Sequence, residues 1–297
     1  MVATTPRGRL GELVNIPALL AVALWGSTYL VIKIAVRDFS PLTLAAMRVV
    51  LGAVVLFVAL LIMEKDWKLD RKDLLVVAVL GLSGLAAFQI FFIEGLKHTT
   101  ASNSSVVVST SPIFAAIAVI LTRVDELRWR TLAGILLAFG GVALVAQREG
   151  LSLGAESGLL GDIFTLLSAM AWGIFVAVQT PLLRRHSPLK VMTYATIFGS
   201  VFVIPFTAPD LLAQDWGAVS LEGWGLAVYY IIISGFVATI LWSRAIKSWG
   251  PARTSAYSYL NPIFGILSGV IFLEERLVAV QIVGTVAVFG GLALARK

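Results

Sequence analysis

The sequence predicts an all-α polytopic membrane protein of ten transmembrane helices, built as two inverted five-helix repeats. Three observations predict it. The 297 residues are 59% hydrophobic and only 13% charged, with a mean hydropathy of +0.93; a soluble domain carries roughly twice that charge. Ten apolar runs each approach the ~20 residues that a helix needs to cross a bilayer core. Landmarks of the first half recur in the second, in the same order, 147 to 150 positions later.

Taken in order, the first span runs 16–36 behind Arg7 and Arg9. It is too long for the apolar core of a cleaved signal peptide, so a retained helix is expected, capped by Asn15. Span two, 41–63, opens on Ser40-Pro41, and spans three, four and five run 74–93, 99–121 and 130–147. The stretch ALVAQREGLSLGAESGLLGD around residue 150 is the most linker-like, and it divides the chain into repeats 1–150 and 151–297. Spans six to ten run 160–180, 189–208, 224–243, 252–272 and 278–295, with Asp162 placed as the counterpart of Asn15. With the N-terminus in the cytoplasm, seventeen Lys and Arg residues fall on the cytoplasmic side and four on the other. That bias sets the orientation and places both termini in the cytoplasm.

The repeat rests on specific residues. A shift of 147 lays Trp25-Gly26 on Trp172-Gly173 and Ser40-Pro41 on Ser187-Pro188. A shift of 150 lays Pro112-Ile113-Phe114 on Pro262-Ile263-Phe264 and FGGVAL (139–144) on FGGLAL (289–294). Five spans per half is an odd number, so the second half starts on the opposite side of the membrane. The halves are then related by inversion, the arrangement of carriers whose two bundles rock about a site between them.

Several chemistries are excluded. The chain has no cysteine and two histidines, His98 and His186, and no zinc-protease, phosphate-loop or dinucleotide motif. No metal, no cofactor and no catalytic cluster is expected. The net charge of +6 falls in short clusters between apolar runs, which fits membrane orientation and not nucleic acid. The glycines of GLSG at 81–84 lack the Lys-Ser/Thr of a phosphate loop and are expected to be close-packing points.

Two tetrapeptides, SPIF at 111–114 and NPIF at 261–264, put a proline inside an apolar run. A mid-helix proline removes one hydrogen bond and clashes with the carbonyl four residues back, here Val108 and Ser258. Pro112 and Pro262 are expected to kink their helices, and each kink should face a packed or wet interior. The stretches before them, HTTASNSSVVVSTS (98–111) and RTSAYSYLN (253–261), are polar for membrane spans. Ser111, Tyr257 and Asn261 are expected to line a cavity, the last two sharing a face at i, i+4. Close packing through small hydroxyls is the alternative for the serines.

Trp25, Thr28 and Tyr29 share one face of span one, and Trp172, Phe175 and Gln179 share one of span six. Both tryptophans fall near mid-span, away from the interfacial belts, and read as cavity walls or as core packing. Phe88, Gln89 and Phe92 join from span three, and Tyr230 with Ser234 from span eight, where Trp242 stands near the edge. Aromatic walls with a few amides and hydroxyls suit an amphipathic solute. Arg48, about a third of the way into span two, reads as a structural pair or as a substrate contact. Lys33 is placed to snorkel. Glu94 and His98, at the end of span three, are gating or coupling candidates or simply interface groups. The FGG helices, spans five and ten, read as packing or dimer surfaces, so a monomer or a homodimer through them is expected.

WGSTYLVIK (25–33), SPLTLAAMR (40–48), the GLKHTTASNSS…SPIF run (95–114) and the acidic turn before the FGG helix resemble the EamA module. That module occurs twice in transporters of the drug/metabolite transporter superfamily, and the resemblance covers almost the whole chain. Within it the chain looks most like bacterial amino-acid and metabolite exporters of the YddG type. The resemblance implies a central cavity between the repeats and efflux of small organic solutes by alternating access across the bacterial inner membrane. It implies a small-molecule partner and the lipid bilayer. The chain departs from internal symmetry at Arg48, whose equivalent is Ala195, and in its acidic turns, DEL at 125–127 and ERL at 275–277.

Overall fold

Four of the long helices begin at a polar side chain that accepts an amide hydrogen from the first turn. Asn15 takes the N–H of Ala18 at 3.1 Å, Ser40 that of Thr43 at 3.1 Å, Ser187 that of Lys190 at 3.0 Å and Ser220 that of Gly223 at 2.9 Å. Each bond satisfies a donor that the helix itself leaves orphaned. Pro17, Pro41 and Pro188 stand in the first turn of their helices, where no N–H is missed. The duplicated Ser-Pro pairs are therefore duplicated caps.

The computed structural model describes residues 14–64, 66–98, 107–146, 159–261, 263–264 and 279–296. Pro262, Arg276, the linker around residue 150, and parts of spans four and nine lie outside them, as do the side chains of Tyr29 and Lys33. The described chain is helical. We number α1 Ile16–Ala35, α2 Pro41–Met63, α3 (Leu74–Leu80, Gly81–Ala87 and Phe88–His98 in succession), α4 Ser111–Thr122, α5 Trp129–Ala146 and α6 Leu159–Arg185. Then follow α7 Pro188–Ala213, α8 (Leu221–Tyr229, Tyr230–Val237 and Ala238–Trp249), α9 (Pro251–Ser255 and Ala256–Leu260) and α10 Ala279–Arg296. Among the described residues, α2, α3, α6, α7 and α8 are long and apolar enough to cross a membrane, and shorter apolar helices lie in α1, α4, α5 and α10.

Several ends differ from the hydropathy reading. α6 runs on through Pro181 to Arg185, and α7 through Pro205 and Pro209 to Ala213. Charged and interfacial residues end an apolar window without ending a helix. α6 starts at Leu159, ahead of Asp162, so Asp162 lies within its first turn rather than at its cap. A carboxylate there still complements the positive end of the helix dipole.

The middle parts of α3 and α8 are wound as π-helix, Gly81–Ala87 and Tyr230–Val237. The wider turn loosens the regular carbonyl ladder, a feature often found at functional positions. α9 is wound the opposite way, tightening to 3₁₀ geometry over Ala256–Leu260. There the N–H of Asn261 donates to the Ser258 carbonyl, which proline at 262 is unable to serve.

Pro112 is not a mid-helix kink. The chain turns at Ser109–Thr110, and α4 starts afresh at Ser111 with Pro112 in its first turn. The amides of Ile113 and Phe114 both donate to the Thr110 carbonyl, at 2.8 and 3.3 Å. Starting a new helix removes the clash that a continuous one would suffer.

Packing is inside-out by the standards of water. Ile62, Leu75 and Leu121 are more than three-quarters exposed, whereas Thr43, Ser168, Thr193, Thr207 and Ser243 are fully buried. Lipid offers apolar side chains a neighbour and polar ones none, so small hydroxyls turn inward and bond to carbonyls. Thr193 Oγ1 of α7 donates to Leu56 O of α2 at 3.2 Å, and Ser200 Oγ donates to Val49 O at 3.3 Å.

α5 and α10 meet glycine to glycine within one chain. A Cβ at Gly134 would strike Gly291 O and Ala295, and one at Gly141 would strike Gly284 O and Val288. The FGG faces are thus occupied by each other. A dimer through these helices would have to use their opposite faces, where Leu136, Leu137, Val283 and Val286 are exposed.

At one end an ionic cluster ties the start of α3 to the α6–α7 turn. Arg185 Nη2 and His186 Nε2 contact the two oxygens of buried Asp73 at 2.6 and 2.7 Å, and Lys190 Nζ donates to Asp66 at 2.8 Å. Asp70, Asp73 and His186 lie close enough together to hold an ion, but a cation there would compete with a guanidinium already seated on Asp73.

Candidate functional site

Three tryptophans from three helices meet in the interior. Trp25 of α1 lies edge-on to Trp172 of α6 at 5.5 Å between ring centroids, and Trp242 of α8 is 5.2 Å from Trp25 and 6.3 Å from Trp172. Phe88 of α3 and Phe175 of α6 close on Trp172 at 5.0 and 4.9 Å. The Trp25 indole N–H donates to the carbonyl of Ser234 at 3.1 Å. Ser234 lies in the π-helical part of α8, so the loosened ladder serves a side chain from the other half.

Small residues let this cluster form. A Cβ at Gly84 would enter the ring of Phe175, and one at Gly81 would meet Ala195 O and Gly199 N of α7. The GLSG glycines are the close-packing points expected of them. Gly26, beside Trp25, lies flat on Phe264, and Gly173, beside Trp172, lies flat on Phe114.

Next to the cluster is a narrow internal cavity of about 30 Å³. Its walls come from α2 (Arg48, Gly52), α3 (Gly84, Phe88, Gln89), α6 (Trp172, Phe175), α7 (Thr196) and α8 (Gly235, Thr239). A pocket enclosing a small organic ligand has roughly 300–1,000 Å³, so this space is too narrow to hold one. A wider hollow of about 550 Å³ at the α4–α5 turn, edged by Arg123, Asp125, Glu126 and Arg184, is an open surface feature without aromatic walls.

The remaining site residues fall in several places. Gln179 is fully buried two turns along α6 from Trp172; its Nε2 donates to Phe175 O at 3.3 Å, and its Oε1 has no partner among the described residues. Ser234 Oγ, Trp242 Nε1, Ser243 Oγ, Tyr259 OH and Asn261 Oδ1 are likewise buried without a partner among the described residues. A buried polar group left unbonded costs about 1–3 kcal/mol, so the interior holds hydrogen-bonding capacity that the packed helices leave unused. Phe92 stacks on Phe88 at 5.9 Å, and Thr28 bonds back to the Trp25 carbonyl at 2.6 Å. Ser111 is buried at the start of α4. Tyr230 meets Arg48, with its hydroxyl 3.5 Å from Nη1 and its ring under the guanidinium at 5.2 Å.

Tyr257 is placed elsewhere. Its hydroxyl accepts the Asn15 amide at 3.0 Å and its ring meets Trp249 at 6.1 Å. It joins the start of α1 to the α8–α9 turn and is not part of the cavity wall. Glu94 is half-buried and His98 exposed at the end of α3. The side chain of Tyr29 and the whole of Pro262 lie outside the described residues. Sequence reasoning passed over Thr196, Thr239 and Gly235, because an isolated small residue in an apolar helix carries no signal of which way it faces.

Residues 13–147 and 159–296 each match the model of the EamA-like transporter family. The chain belongs to the EamA-like transporter family. It is therefore a membrane transporter of the drug/metabolite superfamily and not an enzyme. This EamA-like chain is 25% identical to the uncharacterized transporter YetK of Bacillus subtilis over 96% of its own length and 86% of the relative. It is 28% identical to a probable amino-acid metabolite efflux pump of Escherichia coli, covering 93% of this chain and 92% of that one. A probable terminal-alkyne amino-acid exporter of Streptantibioticus cattleyicolor is 22% identical, over 94% and 91%. A solved crystal structure superposes with a TM-score of 0.79 at 18% identity, covering 97% of both chains; it shares the fold.

Proposed function

We propose that this transporter exports small amphipathic organic solutes, amino acids or related metabolites, across the bacterial inner membrane by alternating access. In this reading ten spans form two inverted five-helix repeats with both termini in the cytoplasm. The observation that carries it is the crossed packing of the duplicated motifs: Gly26 of the first half on Phe264 of the second, and Gly173 of the second on Phe114 of the first. Two π-helical stretches about 150 positions apart, in α3 and α8, repeat the same relation. Halves that exchange equivalent contacts have two equivalent ways to pack, which is what rocking about a central site requires. The export direction and the amino-acid class draw support from the names of the Escherichia coli and Streptantibioticus relatives.

The test uses the natural absence of cysteine. Single cysteines at Trp172 and Gln89, both in the cavity wall, in cells frozen between labelling steps, are expected to react from one side of the membrane at a time. Simultaneous reaction from both sides would overturn alternating access. Uptake of a labelled amino-acid panel into proteoliposomes, with and without a pH gradient, identifies the solutes moved.

A further inference from the structure

Among the described residues, Arg48 is the one charged side chain that lines the central cavity. No described Asp or Glu shares that wall, and no described carboxylate pairs with the guanidinium. Its contacts are the ring and the distant hydroxyl of Tyr230, and Gly235, where an added Cβ would sit 3.4 Å from Arg48 Cγ. Tyr230 and Gly235 both belong to the π-helical middle of α8, so the side chain reaches across to the opposite half and not out to the membrane surface. Arginine stays protonated in proteins. A charged arginine within a membrane helix is costly to bury, and no structural ion pair offsets that cost here among the described residues.

We propose that Arg48 docks the carboxylate of the transported solute, and that the preferred solute is a monocarboxylate with an apolar body for which an amino group is dispensable. The proposal rests on the transport reading above and narrows its substrate class. A guanidinium presents two parallel N–H donors to a carboxylate, and that match gives both energy and orientation. The apolar body then lies against Phe88, Trp172 and Phe175. The other polar groups of the wall, Gln89, Thr196 and Thr239, are neutral. A monoanion neutralises the closed site. A zwitterion leaves it with a net positive charge and an ammonium that finds only neutral acceptors, and an amine adds a second cation to the first.

The test is solute counterflow in proteoliposomes of the full chain. Labelled N-acetyl-L-phenylalanine and L-phenylalanine are the transported probes; L-phenylalaninamide and N-acetyl-L-phenylalaninamide are the competitors. The wild type is expected to move the N-acetyl acid at least as fast as phenylalanine and to bind both amides about 10- to 100-fold more weakly, the range of one charged hydrogen-bonded contact. Arg48→Gln should erase the preference for acid over amide, and Arg48→Lys should retain part of it. Equal competition by acid and amide in the wild type, or unchanged acid transport in Arg48→Gln, overturns the proposal. If Arg48→Gln fails to fold, the wild-type competition series decides alone. If the single cysteines alternate in accessibility but no carboxylate moves, the proposal falls and transport stands. If they do not alternate, the transport reading falls first.

Discussion

Gly26 of α1 lies against Phe264 so closely that a Cβ on the glycine would overlap the side chain of the phenylalanine, and Gly173 of α6 stands in the same relation to Phe114. The Trp-Gly pairs and the Pro-Ile-Phe tetrapeptides are therefore two sides of one contact, made twice. Each contact joins residues from different halves of the chain.

Alanine at Gly26 or at Gly173 should destabilise by about 1–3 kcal/mol, the usual cost of overpacking. Gly140 is the control, because nothing lies within 4 Å of a Cβ built there. Gly140→Ala should be neutral or mildly stabilising. Thermal unfolding in detergent reads all three. Equal behaviour of the three variants would mean that the crossed contacts are looser than described.

Trp25→Phe keeps a ring in the aromatic cluster and removes the indole N–H that reaches the Ser234 carbonyl. A carbonyl of the π-helical part of α8 then loses that donor in a membrane interior. The expected result is a loss of about 1–3 kcal/mol in stability, together with slower transport. Trp25→Phe with wild-type melting and wild-type rates would remove this bond from any role in holding α1 to α8.

Outside the membrane, the hydrogen bond and charge of Lys190 hold the Asp66 carboxyl below the ordinary carboxylate range. A depressed value in the folded state means that the stabilising contribution is present at neutral pH. It is lost as pH falls below the ordinary range, through the folded value. Asp66→Asn should lower the melting temperature near neutrality and flatten its decline at acid pH. Parallel curves for the variant and the wild type from pH 7 to strong acid would show that the pair contributes nothing.

Much of this protein is legible along the chain. Membrane class follows from apolar length and sparse charge, and the Ser-Pro caps announce two helix starts without any tertiary information. The duplicated landmarks locate the family modules. Trp25, Phe88, Gln89, Trp172 and Phe175 are grouped on residue type and helix face, and the structure brings them close together.

What the sequence by itself determined are local properties and recurring landmarks: the apolar runs, the Asn15 and Ser-Pro caps, and the two family modules. The tertiary structure decided where each polar side chain goes. Tyr257 shares a face with Asn261 on paper, yet its hydroxyl is taken by the amide of Asn15, 242 positions away. Pro112 looked like a kink and became a helix start. The glycine faces of α5 and α10 read equally as packing or dimer surfaces, and the structure packs them on each other. The physical reason is the same in each case. In lipid a polar group or a small-residue face must find its partner within the protein, and that partner sits on another helix, at a distance in sequence that no local pattern records.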